Sequence, residues 1–171
     1  MNTKSIAMIL GLAAASAAAQ AAPTFMSPEW AAQACKAWNQ DGELTKGLGD
    51  DWIENDAGRG YKVIQIYRSD CPDSKKIELT IKKDGDKAVC SYGGAVAHNE
   101  LNSDVDYLMY ASDEDWDCMG KGEWGCGPMG AMATGKLKFE GPKVEAMSVM
   151  GPFEGFLLLT GKVEADRKAC P

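Results

Sequence analysis

Gly130-Ala131-Met132-Ala133-Thr134-Gly135-Lys136 has the spacing of a glycine-rich loop that cradles phosphate. Such a loop needs Ser or Thr at the next position to hold magnesium, and Leu137 stands there. The segment also precedes a strand-like stretch, where a phosphate loop should follow a strand and open a helix. Asp113, Asp115 and Asp117 alternate like the first ligands of a calcium loop, yet Cys118 and Trp124 occupy positions that require Gly and Glu. These acids fit a helix N-terminus, where negative charge meets the positive end of the helix dipole. His98 is the sole imidazole, and no Gly-x-Ser-x-Gly elbow presents a serine. Asp115 with His98 is the one acid–base pair worth naming. No residue set assembles a reaction with assigned roles, so neither an enzyme nor a bound cofactor or metal is expected.

The six cysteines, Cys35, Cys71, Cys90, Cys118, Cys126 and Cys170, carry a different chemistry. An even count with no Cys-x-x-Cys spacing reads as a disulfide set. Cys118 and Cys126 flank a short glycine-rich excursion and are the favoured pair. Cys71 with Cys90 and Cys35 with Cys170 follow only by elimination. An oxidising compartment agrees with the first residues: Lys4, an apolar run from Ile6 to Ala15, then two Ala-x-Ala sites at Ala17–Ala19 and Ala19–Ala21. That layout predicts a secretory signal peptide over 1–21 and a single domain over 22–171, located in the periplasm or secreted. Losing Lys4 takes the net charge from −7 to −8. An acidic chain without a basic stripe is a poor partner for nucleic acid and for anionic lipid headgroups.

Methionine is the third conspicuous type. Six of the nine methionines lie from Met109 onward: Met109, Met119, Met129, Met132, Met147 and Met150. Thioether chains adapt their shape and line pliable apolar cavities, although the same stripe also serves ordinary helix–sheet packing.

These residues need elements to position them. Ser27-Pro28-Glu29 opens a helix whose apolar stripe is Trp30, Ala34 and Trp38. Gly42, Gly47, Gly49 and the acids between them read as a loop. Residues 61–67 are β-branched and aromatic, Ile77, Leu79 and Ile81 alternate with polar residues, and Asp84-Gly85 signals a hairpin returning over 88–92. Val105, Tyr107 and Met109 alternate again. Hairpin-linked strands predict an antiparallel meander. Ser112 to Asp115 is a capping box for a helix bearing Trp116 and Met119. A short helix over 129–134 precedes a strand over 136–140, and a last helix bearing Met147, Met150, Phe153 and Phe156 must break at Gly151-Pro152. Strands followed by helices on one side give an α+β fold.

Val105 to Met109 followed by Ser112-Asp113-Glu114-Asp115 resembles the strand-to-helix step of sterol carrier protein 2 domains. Ala131 to Gly141 is similar to that family's A-x-x-x-G-K-L-K-x-x-G segment, and Ala146 with Phe153 to Leu158 fits its closing helix. The resemblance runs from about Leu44 to Val163 and is carried mainly by residues 105–160. It implies a five-stranded, mainly antiparallel sheet backed by helices, with an apolar tunnel for a sterol or fatty-acyl lipid that is bound or transferred without being transformed. It also implies Trp116, Met119, Met129, Met132, Phe139, Met147, Met150, Phe153 and Phe156 as lining residues. The alternative role it leaves open is that of an accessory interaction module in a periplasmic assembly. The Cys118–Cys126 segment and Gly151-Pro152 depart from the family pattern beside the expected tunnel mouth.

Overall fold

In the computed structural model, residues 21–171 are described, so the expected signal segment lies, apart from its last residue, outside the described residues. Ser27 caps the first helix, α1 (Pro28–Trp38): its Oγ accepts from the Trp30 amide at 3.2 Å, with Pro28 in the first turn. The apolar stripe is buried as expected, with Trp30, Ala34 and Trp38 at or below 1 % exposure. Two short helices follow: α2 (Gly42–Thr45) falls within the stretch expected to be loop, and α3 (Asp51–Glu54) lies just beyond it. Asp41 explains the first of them, since its carboxylate accepts from the Glu43 and Leu44 amides.

Five strands follow the expected positions: β1 (Lys62–Arg68), β2 (Ile77–Asp84), β3 (Lys87–Ala95), β4 (Tyr107–Ala111) and β5 (Lys138–Glu140). Asp84 and Lys87 pair across the two-residue turn Gly85-Asp86, where the φ of +62° at Gly85 suits glycine. The sheet order is β3-β2-β1-β4-β5. Three pairings are antiparallel, but β4 lies parallel to β1, with Ile64 opposite Tyr107 and Ile66 opposite Met109. The expected meander is thus corrected: after β3 the chain crosses the sheet through residues 96–106 and re-enters beside β1. The crossing segment is anchored by buried polar groups. Glu78 accepts from the His98 and Ala97 amides, and Asp106 accepts from Val63, Asn102 and Arg59.

Period-two alternation puts Ile64, Ile66, Ile77, Leu79, Ile81, Tyr107 and Met109 on one buried face. Helix α1 covers β3 and β2 there. Helix α7 (Met150–Lys162) packs against α1, α2 and α4 (Asp113–Lys121). The break expected at Gly151-Pro152 falls slightly earlier. Val149 separates α6 (Lys143–Ser148) from α7, and Pro152 sits in the first turn of α7, where its missing N–H costs no helical bond. Helix α5 (Pro128–Thr134) begins behind Gly127 and ends at Gly135 in the left-handed region. The phosphate-loop look-alike is therefore this helix and its cap. The calcium-loop look-alike is the first turns of α4, where Ser112 Oγ accepts from the Asp115 amide at 3.2 Å.

All six cysteines are paired. Cys118–Cys126 forms as expected, whereas Cys35 joins Cys90 and Cys71 joins Cys170. The two pairs reached by elimination are thereby corrected, because α1 lies directly on β3 and the C-terminal segment folds back to the end of β1. Arg68 holds that segment through the carbonyls of Arg167 and Ala169, and Phe25 N–H donates to the Asp166 carbonyl at 2.8 Å.

Candidate ligand groove and its polar anchor

Phe139 is the residue around which the site is built. It lies at the centre of β5, opposite Met109, and its ring meets Tyr107 edge-on at 5.5 Å and Phe153 at 5.8 Å. On its inner side is an apolar cavity of about 30 Å³, walled by Trp38, Trp52, Tyr107, Phe153 and Phe156 among others. That is space for about one water and not for a lipid chain. The expected apolar tunnel is not seen among the described residues: the rings of Trp38, Trp52, Phe153 and Phe156 leave only this small space between sheet and helices.

On its outer side Phe139 walls a groove of about 500 Å³ that runs along the free edge of the sheet between α5 and α6. Helical spacing makes this groove rich in sulfur. In α5 the chain buries Pro128 and Ala131, which turns Met129 and Ala133 outward, while Met132 is half-buried against the core at the groove wall. In α6 Ala146 points into the core while Lys143 and Met147, four residues apart, face the groove. Met129 is 60 % and Met147 53 % exposed, a large apolar display for side chains that could have packed inward. Lys138, Glu140 and Lys143 supply charges of both signs around the rim.

The residues named from the sequence thus separate into three groups. Met129, Met132, Phe139 and Met147 share the groove, and Phe153 and Phe156 share the inner cavity with Phe139. Trp116 and Met119 are core residues, at 0 % and 1 % exposure, and line neither space. Trp116 instead donates its Nε1–H to the Tyr67 carbonyl at 3.2 Å. Met150 is half-buried and lines neither space. His98 and Asp115 do not meet. Asp115 bonds Ser112 and Lys136, while His98 Nδ1 lies 2.6 Å from Glu78 on the far face of the sheet.

A polar cluster abuts the cavity wall. The side chain of Lys62 is wholly buried, and its ammonium donates to both carboxylate oxygens of Glu145, at 2.8 and 2.7 Å, and to the Trp52 carbonyl at 3.0 Å. The Tyr107 hydroxyl donates to the same carboxylate and accepts from Trp52 Nε1–H at 2.8 Å. Burial pulls the Lys62 ammonium below its ordinary pKa, with the Glu145 hydrogen bond and charge opposing. Burial, then the Glu145 bond and charge, push the Tyr107 hydroxyl above its own range. Sequence reading passed over this cluster, although a signal was present. Lys62 stands two residues before Ile64 and four before Ile66, so strand alternation puts it on their buried face.

No protein-family profile matches the chain, and no curated protein matches its sequence. Among solved structures, a conserved hypothetical protein of Thermus thermophilus, described as a possible sterol carrier protein, superposes with a TM-score of 0.51 at 16 % identity, covering 85 % of this chain and 95 % of that one. Sterol carrier protein domain 2 of Helicoverpa armigera gives a TM-score of 0.39 at 20 % identity, over 72 % and 87 % of the two chains. The five-stranded, mostly antiparallel sheet with its helical layer is thus a sterol carrier protein-like α+β fold.

Proposed function

We propose that this protein binds and carries an apolar, lipid-like molecule, held first in the methionine-lined groove and extending past Phe139 toward the inner cavity. The observation that carries this reading is the groove itself. Its volume of about 500 Å³ falls within the roughly 300–1,000 Å³ usual for ligand clefts, and its walls are thioether and aromatic groups with a polar rim. Burying ten methylenes would yield about 8 kcal/mol before the cost of association. Methionine walls suit a ligand whose chain lacks a fixed shape. The inner cavity is too small to receive a chain unless Phe139 and α6 yield, so the groove is the loading site and the cavity the direction of travel. The roles of Met129, Met132, Phe139 and Met147 belong to this proposal. Phe153 and Phe156 would be reached only after entry.

The fold supports the reading. Three disulfides support an oxidising location, consistent with export of a domain over 22–171 after removal of a signal peptide. Non-covalent binding without turnover is part of this proposal.

The test is extraction of the exported, purified protein with organic solvent followed by mass spectrometry. The reading expects a lipid in stoichiometric yield; a clean extract, together with no uptake of an apolar fluorophore, contradicts it. One feature favours a second reading, a protein-docking module: the groove lies along the free edge of β5, where a partner strand could add. A stable complex with a partner protein, with no lipid bound by the isolated chain, would select it.

A further inference from the structure

The buried Lys62 needs an anion, and the anion it has is carried on a weakly fastened element. Helix α6 is six residues long, has no side-chain cap, and lies between Gly141-Pro142 and the break at Val149. Its Glu145 reaches inward to Lys62 and Tyr107, yet the same carboxylate lines a surface cleft of about 450 Å³ and accepts from the exposed Asn55 amide at 2.7 Å. Glu145 therefore stands at a partition, with water on one side and the apolar cavity walled by Trp52, Tyr107, Ala146 and Val149 on the other. The Lys62 ammonium lies over the rings of Trp52 and Tyr107, 4.5 and 5.3 Å from their centroids, so a turn of α6 that hydrates the Glu145 carboxylate would leave Lys62 without its anion directly behind the cavity wall.

We propose that Lys62, with the Tyr107 hydroxyl, is the anchor for the carboxylate of an amphiphilic ligand, a long-chain carboxylic acid, and that Glu145 is the resident anion this carboxylate replaces. The exchange conserves charge: one carboxylate leaves the ammonium for water as another arrives. A neutral head such as an alcohol or ester would leave the ammonium buried without a counter-ion, which is strongly unfavourable. The donor count fits as well. Lys62 spends one N–H on the Trp52 carbonyl, so two ammonium hydrogens and the Tyr107 O–H remain. Three donors suit the two oxygens of a monoanionic carboxylate better than the three oxygens and higher charge of a phosphate. Adjacent residues of α6 tie the exchange to the tail's path. Ala146 walls the cavity and Met147 the groove, so releasing Glu145 loosens both.

This inference rests on the carrier reading, and its test separates the two. Hexadecanoic acid and its methyl ester are titrated by displacement of an apolar fluorophore from the wild-type protein, from Glu145→Gln, and from the double variant Lys62→Met with Glu145→Met. The double variant keeps the site filled without an orphan charge. The acid should bind the wild type at least about tenfold more tightly than the ester, the scale of one charge-assisted hydrogen bond. Glu145→Gln, which removes the competing anion, should tighten the acid by about tenfold again and leave the ester unchanged. The double variant should bind acid and ester alike. Equal binding of acid and ester by both the wild type and Glu145→Gln overturns the anchor and leaves the carrier standing. No binding of either by any of the three proteins overturns both.

Discussion

Replacing Phe139 by alanine tests whether the ring separates groove from cavity. Its side chain is 9 % exposed and makes edge contacts with Tyr107 and Phe153. Truncating a buried Phe costs about 3–5 kcal/mol. The low end applies here, because one side of the ring already faces the open groove, so we expect a loss of about 3 kcal/mol. For a domain of this size that lowers Tm by about 6–12 °C. The same change joins the cavity of about 30 Å³ to the groove of about 500 Å³. The vacated space should admit about three ligand methylenes, worth about 2 kcal/mol at roughly 0.8 each. A saturating long-chain ligand should then raise the variant's Tm by about 4–8 °C more than it raises that of the wild type. Paired calorimetric scans with and without ligand read both effects. A fall in Tm under about 2 °C would show the ring to be unpacked, and an identical ligand-induced rise in both proteins would show that the chain never passes Phe139; either result refutes the reasoning.

Other contacts make their own predictions. The chain-entropy relation gives about 4.7 kcal/mol for the Cys71–Cys170 link, which spans 99 residues, against about 2.5 kcal/mol for Cys118–Cys126, which spans 8; serine pairs at each site, compared in urea, should lose stability in that order. Burial pushes the Glu78 carboxyl up, but the bonds from His98, Gln65 and Thr80 outweigh it and hold the group below its ordinary 4.5. Because its folded value lies below its unfolded one, Glu78 stabilises the fold above about pH 4.5 and that contribution is lost as pH falls through the folded value. Unfolding scans against pH should accordingly show a shallower acid limb for Glu78→Gln than for the wild type. A Cβ placed on Gly161 would lie 2.3 Å from the Gly120 carbonyl oxygen, where α7 crosses α4. Gly161→Ala should therefore cost about 1–3 kcal/mol by forcing the helices apart, and an unchanged denaturation midpoint would contradict that contact.

Features governed by neighbours along the chain were legible in the sequence: the Ser27 and Ser112 caps, the hairpin at Gly85, the alternation of Ile77, Leu79 and Ile81, and the α5–β5 step at Gly135. Features that depend on distant segments meeting were not. Nothing local tells β4 to lie parallel to β1, since the deciding bonds run from the Val63 amide to Asp106 and from the 97–98 amides to Glu78. Disulfide pairing waited on the same tertiary placements, of α1 on β3 and of the C-terminal segment beside Arg68. Within the site, the methionines could be recognised by type but not by direction. Whether Met119 or Met129 faces outward depends on which side of each short helix meets the core. Residues 61–67 showed only β-branched and aromatic character, yet the register of Lys62 with Ile64 and Ile66 already placed its side chain inside.

An apolar ligand lying along the sulfur-lined sheet edge would be seen most directly by methyl-labelled methionine NMR, since each thioether methyl reports its own surroundings. Titration with a long-chain ligand should shift the Met129, Met132 and Met147 methyls together and saturably, while the fully buried Met26 and Met119 stay in place. Groove methyls that do not move at saturating ligand, whether or not buried ones do, would contradict the account.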